Sequence, residues 1–265
     1  MENKLKNDMR ESVMKNYKRV ALKTSLDSNK EAACCSTDNN LAAVSEALGY
    51  SSLEYDQVPN GSNMGIGCGN PQAIASLKQG ETVLDLGSGG GFDCFLASNS
   101  VGSTGKVIGV DMTPEMLKKA RINEEKGKYT NTEFRLGEIE HLPVADASID
   151  VIISNCVINL SPEKQQVFIE AFRVLKPGGR LAISDVVTTI ELPNELKNDE
   201  ALHCGCMAGA SSINELKTYL QKAGFSAISI EPKEKSREFI KEWAPGTGIE
   251  NYIVSATIEA VKKHQ

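Results

Sequence analysis

The run Asp85-Leu86-Gly87-Ser88-Gly89-Gly90-Gly91 limits what this chain can fold into more than any other segment. It closes an apolar stretch at 82–86 and leads into a helical pattern. A strand, a glycine loop and a helix in that order make the ligand-binding corner of an open parallel sheet. A second apolar stretch closes at Val110-Asp111, about twenty residues on, where an acid can hold ribose hydroxyls. Short apolar runs then alternate with helical patterns, as in parallel β-α units. Strands are expected at 82–86, 106–111, 132–136, 149–155, 180–185, 226–231 and 251–259. Together they predict an α/β fold with a seven-stranded, mostly parallel sheet and helices on both faces.

Helix signals support that order. Thr113 is placed to cap a helix that starts near Pro114, with Glu115 in its first turn. Ser161, Pro162 and Glu163 repeat the signal, and Gly178-Gly179 after Leu175 reads as the stop of that helix. A further helix is expected at 213–223. Residues 8–24 carry apolar positions near helical spacing, 25–40 are polar, and 60–71 read as a loop. The domain division expected is an N-terminal helix with a cysteine-bearing segment over 1–60, then the sheet domain over 61–265.

The glycine spacing is G-x-G-x-G, and Asp85 precedes it. A carboxylate there suits a pyrophosphate poorly but suits an ammonium group and a sulfonium cation. S-adenosylmethionine carries both. On this reading Asp85, Gly87, Ser88 and Gly89 line the cofactor, Asp111 accepts its ribose hydroxyls and Met112 packs on adenine. The turn Gly137-Glu138-Ile139-Glu140 meets the adenine edge through Ile139 and Glu140, and Asn155 lines the methionine end.

A formal charge of −6 over 265 residues gives no basic field for nucleic acid or anionic lipid. No apolar stretch approaches the ~20 residues of a membrane span, and the first residues lack the apolar core of a signal peptide. A cytoplasmic monomer is expected, with neither nucleic acid nor membrane as partner. The seven cysteines, at 34, 35, 68, 94, 156, 204 and 206, then sit where structural disulfides are disfavoured. No Cys-x-x-Cys pair suggests structural zinc. Cys94 fits a core position beside Phe95 and Leu96. Cys156 follows the apolar run 149–155, and the loops holding Cys68 and Cys206 flank the same sheet edge.

The run Asn155-Cys156-Val157-Ile158-Asn159-Leu160, the loop Gly67-Cys68-Gly69, Ser184-Asp185-Val186 with Glu191-Leu192-Pro193, and Cys206-x-x-Gly209-Ala210 resemble arsenite S-adenosylmethionine methyltransferases. The resemblance implies a class I, Rossmann-like methyltransferase that methylates thiol-bound trivalent arsenic. Cys156 and Cys206 would be the central arsenic(III) ligands, with Cys68 joining them. Cys68 and one of Cys34 and Cys35 would deliver arsenic and form the disulfides resolved at each turnover. Arsenite and its methylated forms would be substrates, and thioredoxin or glutathione the reductant. Cys204 lies outside this set.

The chemistry agrees. Thiolates are soft ligands for a soft centre, and sulfur-bound arsenic(III) keeps a lone pair that attacks a sulfonium methyl without a general base. Oxygen methylation usually needs a base, and of His141, His203 and His264 only His203 falls near a site loop. Two alternatives share parts of the pattern. A carbon methyltransferase of the quinone or sterol type would keep the glycine loop and Leu175-Lys176-Pro177-Gly178-Gly179. A non-catalytic thiol-rich metalloid-binding or sensing protein would keep the fold and bind arsenite tightly with no methyl transfer.

Overall fold

Alternation along two central strands sets the layers. Leu84, Leu86 and Ile152 pack into one buried cluster, while Val83, Val151 and Ile153 pack into another. Successive side chains of a strand point to opposite faces, so these two clusters are the two faces of one sheet. Burying each such side chain is worth about 1.5–3 kcal/mol. The helices Lys164–Val174 and Ile213–Ala223 cover the first face, and Phe92–Val101 with Pro114–Gly127 covers the second.

The structure is a computed structural model that describes residues 2–22 and 38–264. Its strands are β1 (Thr82–Leu86), β2 (Lys106–Asp111), β3 (Thr132–Leu136), β4 (Ile149–Asn155), β5 (Leu175–Thr188), β6 (Ser211–Ser212), β7 (Ser226–Lys233) and β8 (Ile253–Val261). The seven-strand path runs β3-β2-β1-β4-β5-β8-β7, and the two-residue β6 joins it beside β5. β8 runs antiparallel to both its path neighbours, β5 and β7, and the other neighbouring pairs on the path are parallel. The expected seven-stranded, mostly parallel sheet is present, with β6 as an addition. β1 pairs with β2 on one side and β4 on the other. That is the switch point, where a crevice opens at the carboxyl ends of the strands.

Local departures have identifiable causes. Gly178-Gly179 does not end a helix, because the helix already stops at Val174 and Leu175 begins β5 by pairing with Ile149. The register shifts between Ile149 and Val151, and the glycines occupy that irregular stretch. The helix expected from Ser161 starts at Lys164 instead. Ser161 accepts a hydrogen bond from the Glu163 N–H at 3.0 Å and donates to Glu140 at 2.5 Å. The expected helix at 213–223 is present, with a Ser212–Glu215 capping box at its start and left-handed Gly224 at its end. The N-terminal helix spans Glu2–Leu22, and a further helix spans Asp38–Leu48. Among the described residues, no helix is long and apolar enough to cross a membrane.

Candidate active site

The glycine loop is shaped by what lies above it. Gly87 has φ +70°, and an added Cβ would collide with the Val157 side chain. Only glycine fits there, so the loop stays pressed against the residue that follows Cys156. Between this loop, the ends of β2 and β4 and the N-terminal helix lies a pocket. Asp85, Gly87, Ser88, Gly89, Asp111, Met112, Ile139, Glu140 and Asn155 all line it.

The pocket is rich in buried acid. Asp85, Asp93 and Asp111 are all buried. Burial, and then the charge of Asp93, holds the Asp85 carboxyl well above the usual carboxylate range, even though Cys94 donates to it at 3.2 Å. Burial raises Asp93 to about 6 against hydrogen bonds that favour its anion. Asp111, also raised by burial, accepts from the Gly89 N–H at 3.0 Å and the Thr113 N–H at 2.7 Å. The buried Ser88 hydroxyl has no hydrogen-bond partner. A cationic, hydroxyl-bearing ligand would meet these unmet demands, which fits the ammonium, sulfonium and ribose of S-adenosylmethionine.

Besides Asp93, three residues not singled out in the sequence shape the pocket or its support. Tyr50 donates to Asp93 at 2.8 Å and accepts from Asn155 at 3.0 Å. Arg10 of the N-terminal helix reaches Glu163 at 2.6 Å and Glu140 at 3.3 Å, which fastens that helix over the pocket. Tyr17, on the same helix, lines both this pocket and a neighbouring chamber. Each contact joins residues more than forty positions apart, so no local spacing announces it.

That chamber holds the thiols. Cys156, Cys204 and Cys206 line it, together with Gly67 and Trp243. Cys156 and Cys206 both adopt left-handed backbone, at φ +60° and +64°. For a side-chain-bearing residue this costs of order 1–3 kcal/mol and must be held by its surroundings. The Cys156 N–H donates to the Ser184 carbonyl at 2.8 Å, and the Cys206 N–H to that of His203 at 2.9 Å. The Cys206 Sγ in turn donates to the Cys156 carbonyl at 2.6 Å. Cys68 Sγ, Cys156 Sγ and a carboxylate oxygen of Asp185 lie within 4.8 Å of one another. Asp185 accepts from the N–H groups of Ile158, Asn159 and Val186 and from the Asn159 amide. It is therefore a fixed buried anion that holds the turn after Cys156.

All five described cysteines are free thiols. Burial raises Cys68. A hydrogen bond with Cys206 pulls Cys156 down, but its bond to Cys68 and burial leave it well above the usual thiol range. Cys206 is held well above that range by its bond to Cys156 and by burial. Burial and the mutual hydrogen bonds thus favour the protonated thiols. Cys94 lies in the core, apart from the chamber, as expected. Cys34 and Cys35 lie outside the described residues.

Fold and pocket define a class I methyltransferase, and residues 77–224 match the family described as "Methyltransferase domain". The chain is 56% identical over 237 residues to the arsenite methyltransferase of Halobacterium salinarum, covering 89% of this chain and 60% of that protein. It is 43% identical over 172 residues to the arsenite methyltransferase of Homo sapiens, covering 58% and 46%. The crystal structure of an arsenic(III) S-adenosylmethionine methyltransferase from Chlamydomonas reinhardtii is 33% identical, with a TM-score of 0.61, covering 84% of this chain and 73% of that one. The chain belongs to the arsenite methyltransferase family. It spans 60% or less of the length of these two curated relatives.

Proposed function

We propose that the protein methylates thiol-bound trivalent arsenic with S-adenosylmethionine, an arsenic-detoxifying reaction. One observation carries the reading: Cys156 lines both the acidic cofactor pocket and the thiol chamber. A centre held by Cys156 therefore sits at the junction where a methyl group would be delivered.

Loading needs no base. Each thiol that replaces a hydroxide of arsenite passes its proton to that hydroxide, which leaves as water. Cys156, Cys206 and Cys68 serve as the ligands, and their protonated resting state suits this exchange. When bound, S-adenosylmethionine supplies an electrophilic methyl group. Asp85, Asp93 and Asp111 hold its cationic and hydroxyl groups, with Met112 and Ile139 against its base. Burial of Cys156 and Cys206 keeps the bound centre away from bulk solvent, and the turn held by Asp185 fixes the thiolate that faces the pocket. Positioning and desolvation account for most of the acceleration.

Methylation formally oxidises arsenic by two electrons. A thiol pair within the cluster returns them by closing to a disulfide, which an external thiol of the thioredoxin or glutathione type reduces. The test is to incubate the protein with arsenite, a thiol reductant and methyl-labelled S-adenosylmethionine, then speciate the arsenic. Labelled methylarsenicals support the reading. Arsenic bound but never methylated would reduce the protein to a metalloid-binding one.

A further inference from the structure

The chamber beside the cofactor pocket carries a thiol, Cys204, that the proposed ligand set does not use. Cys204 ends the short helix Glu200–Cys204, and the turn that follows places Cys204, Gly205 and Cys206 all on the chamber wall. That turn is fixed, since the Gly205 N–H donates to the Ala201 carbonyl at 3.0 Å and the Cys206 N–H to His203. Exposure separates the thiols. Cys68, Cys156 and Cys206 are 1%, 7% and 2% exposed, whereas Cys204 is only half-buried.

We propose that Cys204 is the entry thiol of the chamber, taking arsenic(III) from an external monothiol complex and passing it inward to Cys206 and Cys156. The inference rests on the arsenic-methylating reading and adds a residue to it. Where arsenite meets an excess of small thiols it arrives as a bulky tris-thiolate complex, and such a complex meets the half-buried Cys204 before the buried Cys156 and Cys206. Exchange at Cys204 solves the access problem. The Cys204 sulfur forms a bond to arsenic, one external thiolate leaves, and the Cys204 proton goes to that leaving group. A second exchange moves arsenic to Cys206, which hands its own proton back to Cys204. No electrons change hands in either step.

The test uses the whole chain and arsenite complexed beforehand with excess glutathione. Stopped-flow absorbance of the arsenic–sulfur bonds reads the loading rate. Cys204→Ser is expected to load at least about tenfold more slowly than wild type, while the arsenic finally bound per chain stays the same. Cofactor binding by the variant checks that it folds. As an independent measure, a maleimide pulse on the wild-type protein should label Cys204 before Cys156 and Cys206, and a brief arsenite pulse should protect it.

Loading of Cys204→Ser at the wild-type rate, or labelling of Cys204 no faster than the buried pair, overturns the inference. Wild-type protein that loads through Cys204 but transfers no methyl group keeps the inference and removes the function proposed above. Wild-type protein that methylates arsenic, with Cys204→Ser loading at full rate, does the reverse.

Discussion

Asn155 grips the Cys68 loop with both ends of its amide: Oδ1 accepts from the Cys68 N–H at 2.9 Å and Nδ2 donates to the Gly69 carbonyl at 2.8 Å. Because Asn155 immediately precedes Cys156, one side chain ties together the backbones that carry two of the three proposed arsenic ligands.

Asn155→Ala should therefore separate the thiols. The Cys68 N–H and Gly69 carbonyl each lose a partner, at about 1–3 kcal/mol for each group left unpaired. The expected result is at least a tenfold weaker affinity for arsenite, roughly 1.4 kcal/mol, read by titrating arsenic–sulfur absorbance. Wild-type affinity in the variant would show that Asn155 does not position Cys68.

Gly67→Ala attacks the same junction from the loop side. Gly67 has φ +141°, and an added Cβ would lie 2.8 Å from Asn155 Nδ2. Strain and collision should lower stability by about 1–3 kcal/mol, or about 2–4 °C of melting temperature per kcal/mol. Thermal unfolding with and without arsenite measures it. An unchanged melting temperature with normal arsenite uptake would count against the tight packing of this loop.

How much of this was legible in the sequence depends on how local each signal is. β1 to β4 fall at the expected residues, because β1, β2 and β4 are largely apolar runs and Gly87, Asp111 and Gly137 mark the ends of β1, β2 and β3. The start of β5 was hidden because Lys176-Pro177-Gly178-Gly179 reads as a turn, and only its pairing to β4 and the C-terminal segment makes it strand. The glycine loop and the spaced Asp111 pointed to the pocket lining. Asp93 was missed because an acid in the first turn of a helix is ordinary; its partner Tyr50 lies forty-three positions away. The left-handed backbone at Cys156 and Cys206 leaves no mark in sequence, since neither is glycine or asparagine.

Asp93 makes cofactor binding depend on pH. In the folded protein it titrates near 6, against about 3.9 for an unfolded aspartate. Between those values the native state holds a proton the unfolded chain has lost, so stability of the ligand-free protein falls as pH rises through this window. A cationic ligand favours the ionised form. S-adenosylmethionine affinity should accordingly rise by up to about tenfold between pH 5 and pH 7, with proton release on binding below pH 6. Calorimetry in buffers of different ionisation heats measures both. Equal affinity at the two pH values, with no buffer-dependent heat, would exclude Asp93 from the cation's surroundings.

Arg10→Ala should loosen the helix over the cofactor pocket. It removes the ion pairs to Glu163 and Glu140 and leaves the buried Glu140 without that cation. Cofactor affinity is expected to fall about three- to tenfold, and amide exchange over residues 2–22 to accelerate. Unchanged exchange in that helix would mean Arg10 does not fasten it.

The central claim is that Cys156 holds arsenic where the cofactor's methyl group arrives. Its most direct test is arsenic speciation after Cys156→Ser is incubated with arsenite, a thiol reductant and methyl-labelled S-adenosylmethionine, once cofactor binding by the variant is confirmed. The account predicts no labelled methylarsenical. Wild-type amounts of labelled product from this variant would contradict it.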